Sequence, residues 1–185
     1  FRVLDPKQFE AVFRRWVGGI VGALDGVLAV DGKTLRRSAD GDAPPVHMVS
    51  AFSTQLGLVL GQEKVAGKSN EITAIPELLE ALHIKGLLVS IDAMGCQREI
   101  AARIVRAHWA IENRLHWMLA VCFGEDDCMI RKDHAPQNLS LLKKIVLNLI
   151  RADKTDTAKT SLRLKRKRAA WDDDIRMKML GIHPL

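Results

Sequence analysis

Two short apolar runs in this chain end in the same way. VLAVDG (residues 27–32) drives four hydrophobic residues into Asp31 and a glycine, and LVSIDAMG (88–95) drives a similar run into Asp92, with a glycine three residues on. Between them lie two more apolar stretches, VHMVSAFST (46–54) and LGLVLGQEKV (56–65), and then a helical pattern, GKSNEITAIPELLEALHIKG (67–86). The polar loop SADGDAPP and a turn near Gly57 join the first three stretches, which predicts an antiparallel meander. Ile72, Ile75, Leu78, Leu79 and Leu82 form one stripe, with Asn70 or Thr73 as its cap and Pro76 acceptable in the first turn. A strand reached through a helix lies parallel to a neighbour in its sheet. If 27–31 and 87–92 are such neighbours, Asp31 and Asp92 emerge at one carboxyl edge, where open α/β sheets hold ligands.

Taken alone, each aspartate is also an ordinary turn residue at a strand end. Their matched context favours a shared site, because two adjacent carboxylates repel unless a divalent cation neutralises them. Lys33, Arg36 and Arg37 follow Asp31 at once. They are either the solvated face of a turn or a track for the phosphates of a polyanion.

The charge balance leaves both open. Twenty-eight lysines and arginines face 22 acidic residues, and RLKRKR (163–168) is the densest basic run. A basic excess suggests nucleic acid as a partner, although such a run is equally at home on a solvated helix face. Three cysteines, Cys96, Cys122 and Cys128, have no tight pairing pattern and are expected as free thiols in a reducing, cytoplasmic setting. Without a C-x-x-C, zinc is not expected. The longest apolar stretch, WVGGIVGALDGVLAV (16–30), is glycine-rich and too short to span a bilayer, so no membrane association is expected.

Elsewhere the chain reads as helical. PKQFEAVFRRWV (6–17) places Phe9, Val12, Phe13 and Trp16 at helical spacing. QREIAARIVRAHWAIENRLHWMLAVCF (97–123) has neither glycine nor proline and keeps a helical apolar period. Glu112 lies within it among His108, Trp109, His116 and Trp117. On their own these read as a surface charge and amphipathic packing. APQNLSLLKKIVLNLIRA (135–152) carries a leucine stripe and predicts a core helix.

The blocks VDGKTLRRS, GKSNEITAIPELLEAL, IDAMGCQREIA, HWAIENRLHWMLAVCFGEDDCMIRKDHAPQNL and KRKRAAWDDD together resemble bacterial insertion-sequence transposases of the ISAs type. These include the H-repeat-associated proteins of Rhs elements. The resemblance runs through nearly the whole chain in the family's order. It implies an α/β fold, a ribonuclease-H-like mixed sheet of a three-strand meander plus a parallel strand, with a helical C-terminal half. It also implies a DDE triad that cuts and rejoins DNA: Asp31 matches the first carboxylate, Asp92 the second and Glu112 the third. Arg131 matches a basic position near DNA, and Met129 stands where many relatives carry arginine. Lys33, Arg36, Arg37 and the run Lys165, Arg166, Lys167 and Arg168 are the further expected DNA contacts. In-line displacement at phosphorus suits two Mg2+ or Mn2+ ions about 3.5–4 Å apart, held by three carboxylates. DNA is the implied partner, with a homodimer as a further option.

The chain departs from the family in one serious way. In relatives a long segment, with a further core strand, separates the second aspartate from the glutamate's helix; here QREIAARI runs straight into VRAHWAIEN. The expected organisation is a linker remnant at 1–20, a catalytic core at 21–152 with a deletion near 104–105, and a basic tail at 153–185. A single straight helix from Gln97 would carry Glu112 about 15 residues, roughly 22 Å, from its start. That predicts a Glu112 held away from the aspartates and a compromised site. The alternative is a DNA-binding remnant without catalysis.

Overall fold

The computed structural model describes residues 1–21, 26–65, 71–82, 87–91, 108–154 and 160–182. Helix α1, Pro6–Ile20, opens with Asp5 as N-cap, whose carboxylate accepts the Gln8 N–H at 2.9 Å, and with Pro6 in the first turn. It turns Phe13 and Val17 inward, and Phe13 packs on Trp16 with ring centroids 6.0 Å apart. Val12, expected on the apolar stripe, points outward, and Glu10 is buried in its stead. The reason is polar pairing: Glu10 accepts from Gln62 at 3.2 Å and Gln137 at 3.0 Å.

Strands β1 (Val27–Thr34), β2 (His47–Ser53), β3 (Leu58–Val65) and β4 (Leu88–Ile91) form one mixed sheet in the order β3-β2-β1-β4. β1 with β2 and β2 with β3 are antiparallel; β1 with β4 is parallel, Val30 facing Ile91. The meander and the parallel return are therefore as the pattern predicts, and the α/β arrangement is consistent with the expected ribonuclease-H-like fold. β1 differs in length. Gly32 does not end it, because β2 continues to pair alongside, Asp31 with Ser50 and Thr34 with His47. Asp31 is thus a mid-strand residue.

Helix α2, Glu71–Ala81, connects β3 to β4 and buries Ile75 and Leu78. Pro76 lies inside the helix rather than in its first turn, and Thr73 is within the helix and so cannot cap it. An exposed proline there removes one helical hydrogen bond, a local cost that burial of the opposite face offsets. Asn70 lies outside the described residues. Helical residues 108–111 pass into a π-helical turn, Glu112–His116, and then α3, Trp117–Phe123, which ends at Gly124 in the left-handed region. Helix α4 is Ala135–Ala152, α5 is Leu162–Trp171 and α6 is Asp173–Met179. Cys122 and Cys128 are free thiols, and Cys96 lies outside the described residues.

The core gathers Phe13, Leu28, Val30, Phe52, Val59, Leu78, Ile111, Leu115, Leu119, Leu141 and Leu147 around the sheet. At the β2–β3 turn Gly57 has φ +70°, and a Cβ there would lie 2.5 Å from Arg114 Nη2. Gly57→Ala is expected to cost about 1–2 kcal/mol, from the left-handed backbone and the displaced arginine together. A denaturation midpoint equal to that of the parent would contradict this.

Candidate metal centre

β1 sends Asp31 and Lys33 to the same face of the sheet, since alternate strand residues share a face. The helical segment at 108–123 lies against that face, anchored by buried Ile111, Leu115 and Leu119. Its π turn is recorded in the Trp117 N–H reaching back to the Glu112 carbonyl. Such widened turns arise where side chains must be re-aimed, often at functional sites. Here the turn begins at Glu112 and closes at His116, and both face β1.

Asp31, Glu112 and His116 each offer a ligand atom, and these atoms lie within 4.8 Å of one another. His116 Nδ1 stands 3.4 Å from Asp31 Oδ2 and 3.9 Å from Glu112 Oε1. The imidazole is buried and Glu112 is half-exposed, so the cluster opens to solvent on the glutamate's side. Burial drives the His116 pKa down to about 3, helped by Lys144, Lys33 and His108 and opposed by Asp126. The ring is therefore neutral at ordinary pH and keeps a lone pair for a Lewis acid. Two carboxylates and a neutral imidazole are a donor set that a divalent ion fits.

These distances correct the expectation that Glu112 would be held away from Asp31. A straight helix from Gln97 would start at a strand end, about 22 Å from Glu112. Asp31 instead sits mid-strand, and the described helix lies across it. Asp92 lies outside the described residues; it follows Ile91, the last residue of β4, whose partner Val30 precedes Asp31. Sequence reasoning took His116 for packing. The signal that it is more was its position four residues after Glu112, one turn on along the same helix face.

The basic residues divide. Lys33 is largely buried and tied inward: its ammonium meets Glu125 Oε2 at 3.3 Å and Asp126 Oδ1 at 3.2 Å, and donates to the His116 carbonyl. Arg36 and Arg37 are exposed, with loose pairings of 3.7 Å to Asp126 and 3.9 Å to Asp127. Arg131 donates to the Arg37 carbonyl at 3.0 Å, which brings it to the Arg36–Arg37 turn. Lys165, Arg166, Lys167 and Arg168 lie on α5, where Arg166 donates to the Cys122 carbonyl and covers the Phe123 ring, and Lys167 covers Trp171. Among the described residues no helix is long and apolar enough to cross a membrane.

Comparison with known proteins bears on this cluster. Residues 22–105 match the family model described as transposase DDE domain. The match ends where the sequence reading places the deletion, so Asp31 and Asp92 fall inside it and Glu112 beyond. The chain is 28% identical to "H repeat-associated putative transposase YhhI" of Escherichia coli K12 over 286 residues, covering 91% of this chain and 75% of that protein. It is 51% identical to "Putative transposase YncI" of the same organism over 104 residues, 55% of this chain and 42% of that one. The alignment with YhhI is longer than the 185 residues of this chain, so the relative carries positions with no counterpart here. No solved structure matches the chain. Over residues 22–105, and through these relatives, the chain is similar to DDE transposases that include the H-repeat-associated proteins.

Proposed function

We propose that this chain is built for metal-dependent cleavage and strand transfer on DNA, with Asp31, Asp92 and Glu112 as the carboxylates of its site. One observation carries the reading: despite the internal shortening, Asp31 and Glu112 come together, with His116, within 4.8 Å. Asp92, outside the described residues, enters from the sequence alone: it follows Ile91, and Asp31 follows Ile91's partner Val30. The expected occupant is Mg2+ or Mn2+, as a pair of ions if all three carboxylates engage. When bound, such an ion lowers the pKa of attacking water and neutralises charge on the phosphate. The protein's share is to hold the carboxylates on β1 and the π turn, and to draw the DNA backbone along Arg36, Arg37 and Arg131.

The test is nicking of supercoiled plasmid by the full chain with Mg2+ or Mn2+. Nicking is expected in the parent and a loss of at least about 100-fold in Asp31→Asn and in Glu112→Gln, as for removal of a charge-stabilising group. Equal nicking by parent and variants would sink the proposal. A second reading, DNA binding without catalysis, draws on the basic face of α5. Replacing Lys165, Arg166, Lys167 and Arg168 by glutamine would then weaken DNA affinity and flatten its dependence on salt, while Asp31→Asn would leave both unchanged.

A further inference from the structure

We infer that His116 is a nitrogen ligand of this centre and that it biases the site toward Mn2+ over Mg2+. The inference rests on the reading of Asp31 and Glu112 as metal ligands, and adds to it a ligand from outside the carboxylate triad.

Three observations carry it. The first is spacing. Donors around one ion at about 2.1–2.2 Å stand roughly 3.0–3.7 Å apart, for angles between neighbours of roughly 90–120°. His116 Nδ1 is 3.4 Å from Asp31 Oδ2 and 3.9 Å from Glu112 Oε1. Both distances exceed a good hydrogen bond, and both approach the separation of ligands that share an ion. Glu112 is half-exposed, so a small change of its side-chain torsions closes the remaining gap.

The second is the buried ring. His116 is 7% exposed, and its Nε2 has no hydrogen-bond partner among the described residues. A buried imidazole with an unpaired nitrogen is costly unless something else fixes the ring. A metal on Nδ1 would leave the other nitrogen carrying the proton and hold the ring's orientation. The third is the backbone. The π turn spans Glu112 to His116, so the local distortion presents these two residues to β1 together.

Lys144, Lys33 and His108 are the positive charges felt at His116, and neighbouring carboxylates offset them in part. Lys33 approaches the His116 carbonyl, but Glu125 and Asp126 both meet its ammonium. Asp31 and Glu112 add two further carboxylates beside the His116 ring. Imidazole binds Mn2+ better than it binds Mg2+, whose affinity is for hard oxygen donors. One nitrogen in the first coordination sphere therefore shifts the preference.

The experiment is Mn2+ binding to the full chain, followed by electron paramagnetic resonance and by 14N electron spin-echo modulation, with Mg2+ competition. Expected is bound Mn2+ with an imidazole nitrogen coupling and an affinity about 10–100-fold above that for Mg2+. The coupling should vanish and the preference drop by about 10-fold in His116→Gln, and both should persist in His108→Gln. Mn2+ binding that Asp31→Asn abolishes, but with no nitrogen coupling in the parent, would overturn the assignment of His116 and leave the carboxylate reading standing. No Mn2+ binding at millimolar concentration would overturn both. The parent spectrum decides the matter even if His116→Gln fails to fold.

Discussion

Asn148→Leu is expected to destabilise the fold by roughly 2–5 kcal/mol, the cost of leaving two buried backbone groups unpaired. Asn148, on α4, is fully buried and treats β3 as a neighbouring strand would. Its Oδ1 accepts the Val59 N–H at 2.9 Å and its Nδ2 donates to the Val59 carbonyl at 2.7 Å. β3 is the outer strand of the sheet, and its register with β2 shifts at this point, Ala51 facing Gly61 and Phe52 facing Val59. An edge strand with an irregular register exposes backbone groups that must find partners in a helix laid over them. Leucine fills the space of asparagine but offers neither bond. Asn148→Asp keeps the acceptor and loses the donor, so it should fall between leucine and the parent. Urea midpoints at constant slope read all three. Leucine within about 0.5 kcal/mol of the parent would show that Val59 does not depend on α4.

The sheet was legible because its signals are local. Four apolar runs, a turn at Gly57 and one intervening helix suffice to predict a meander with a parallel return, and β1 to β4 follow it. The site was half legible. Asp31 stood out by its context, but its mid-strand position depends on β2 pairing beyond Gly32, which no local pattern encodes. Glu112 entered only through family resemblance, and its approach to Asp31 depends on how 108–123 lies on the sheet. His116 was hidden by its neighbours: between tryptophans and leucines it reads as packing, and a π turn has no composition of its own. Lys33 shows the same limit. Sequence placed it with Arg36 and Arg37 as a phosphate contact, whereas Glu125 and Asp126, more than 90 residues later, draw its ammonium inward. The polar residues inside α1 and α4 were illegible for a related reason. Glu10, Gln137 and Lys144 are each unremarkable, and only their meeting in space makes their burial tolerable.

That meeting produces the second large effect: raising the pH from about 7.5 to about 9.5 should stabilise the protein by roughly 2 kcal/mol. Lys144 is fully buried, donates to Gln62 Oε1 at 2.6 Å, and has its pKa lowered to about 8. Burial is the main cause; Glu125 and Glu10 oppose it and Lys33 adds to it. In the unfolded chain a lysine keeps its proton to about pH 10.4. Between these two values the unfolded state binds more protons than the folded state, so the free energy of unfolding rises with pH. The penalty of charging Lys144 is present in full below pH 8 and disappears as the pH passes the unfolded value. A difference near 2.5 pKa units corresponds to about 3 kcal/mol in all, of which the accessible window contains most. Chemical denaturation at several pH values reads the slope, and Lys144→Met should remove it whatever the variant's absolute stability. A parent whose stability is flat across this window would mean that the ammonium keeps its proton in the folded state. The Glu10 and Glu125 carboxylates would then outweigh burial, and the helices α1 and α4 would be joined through β3 by an ion pair network instead of by neutral hydrogen bonds.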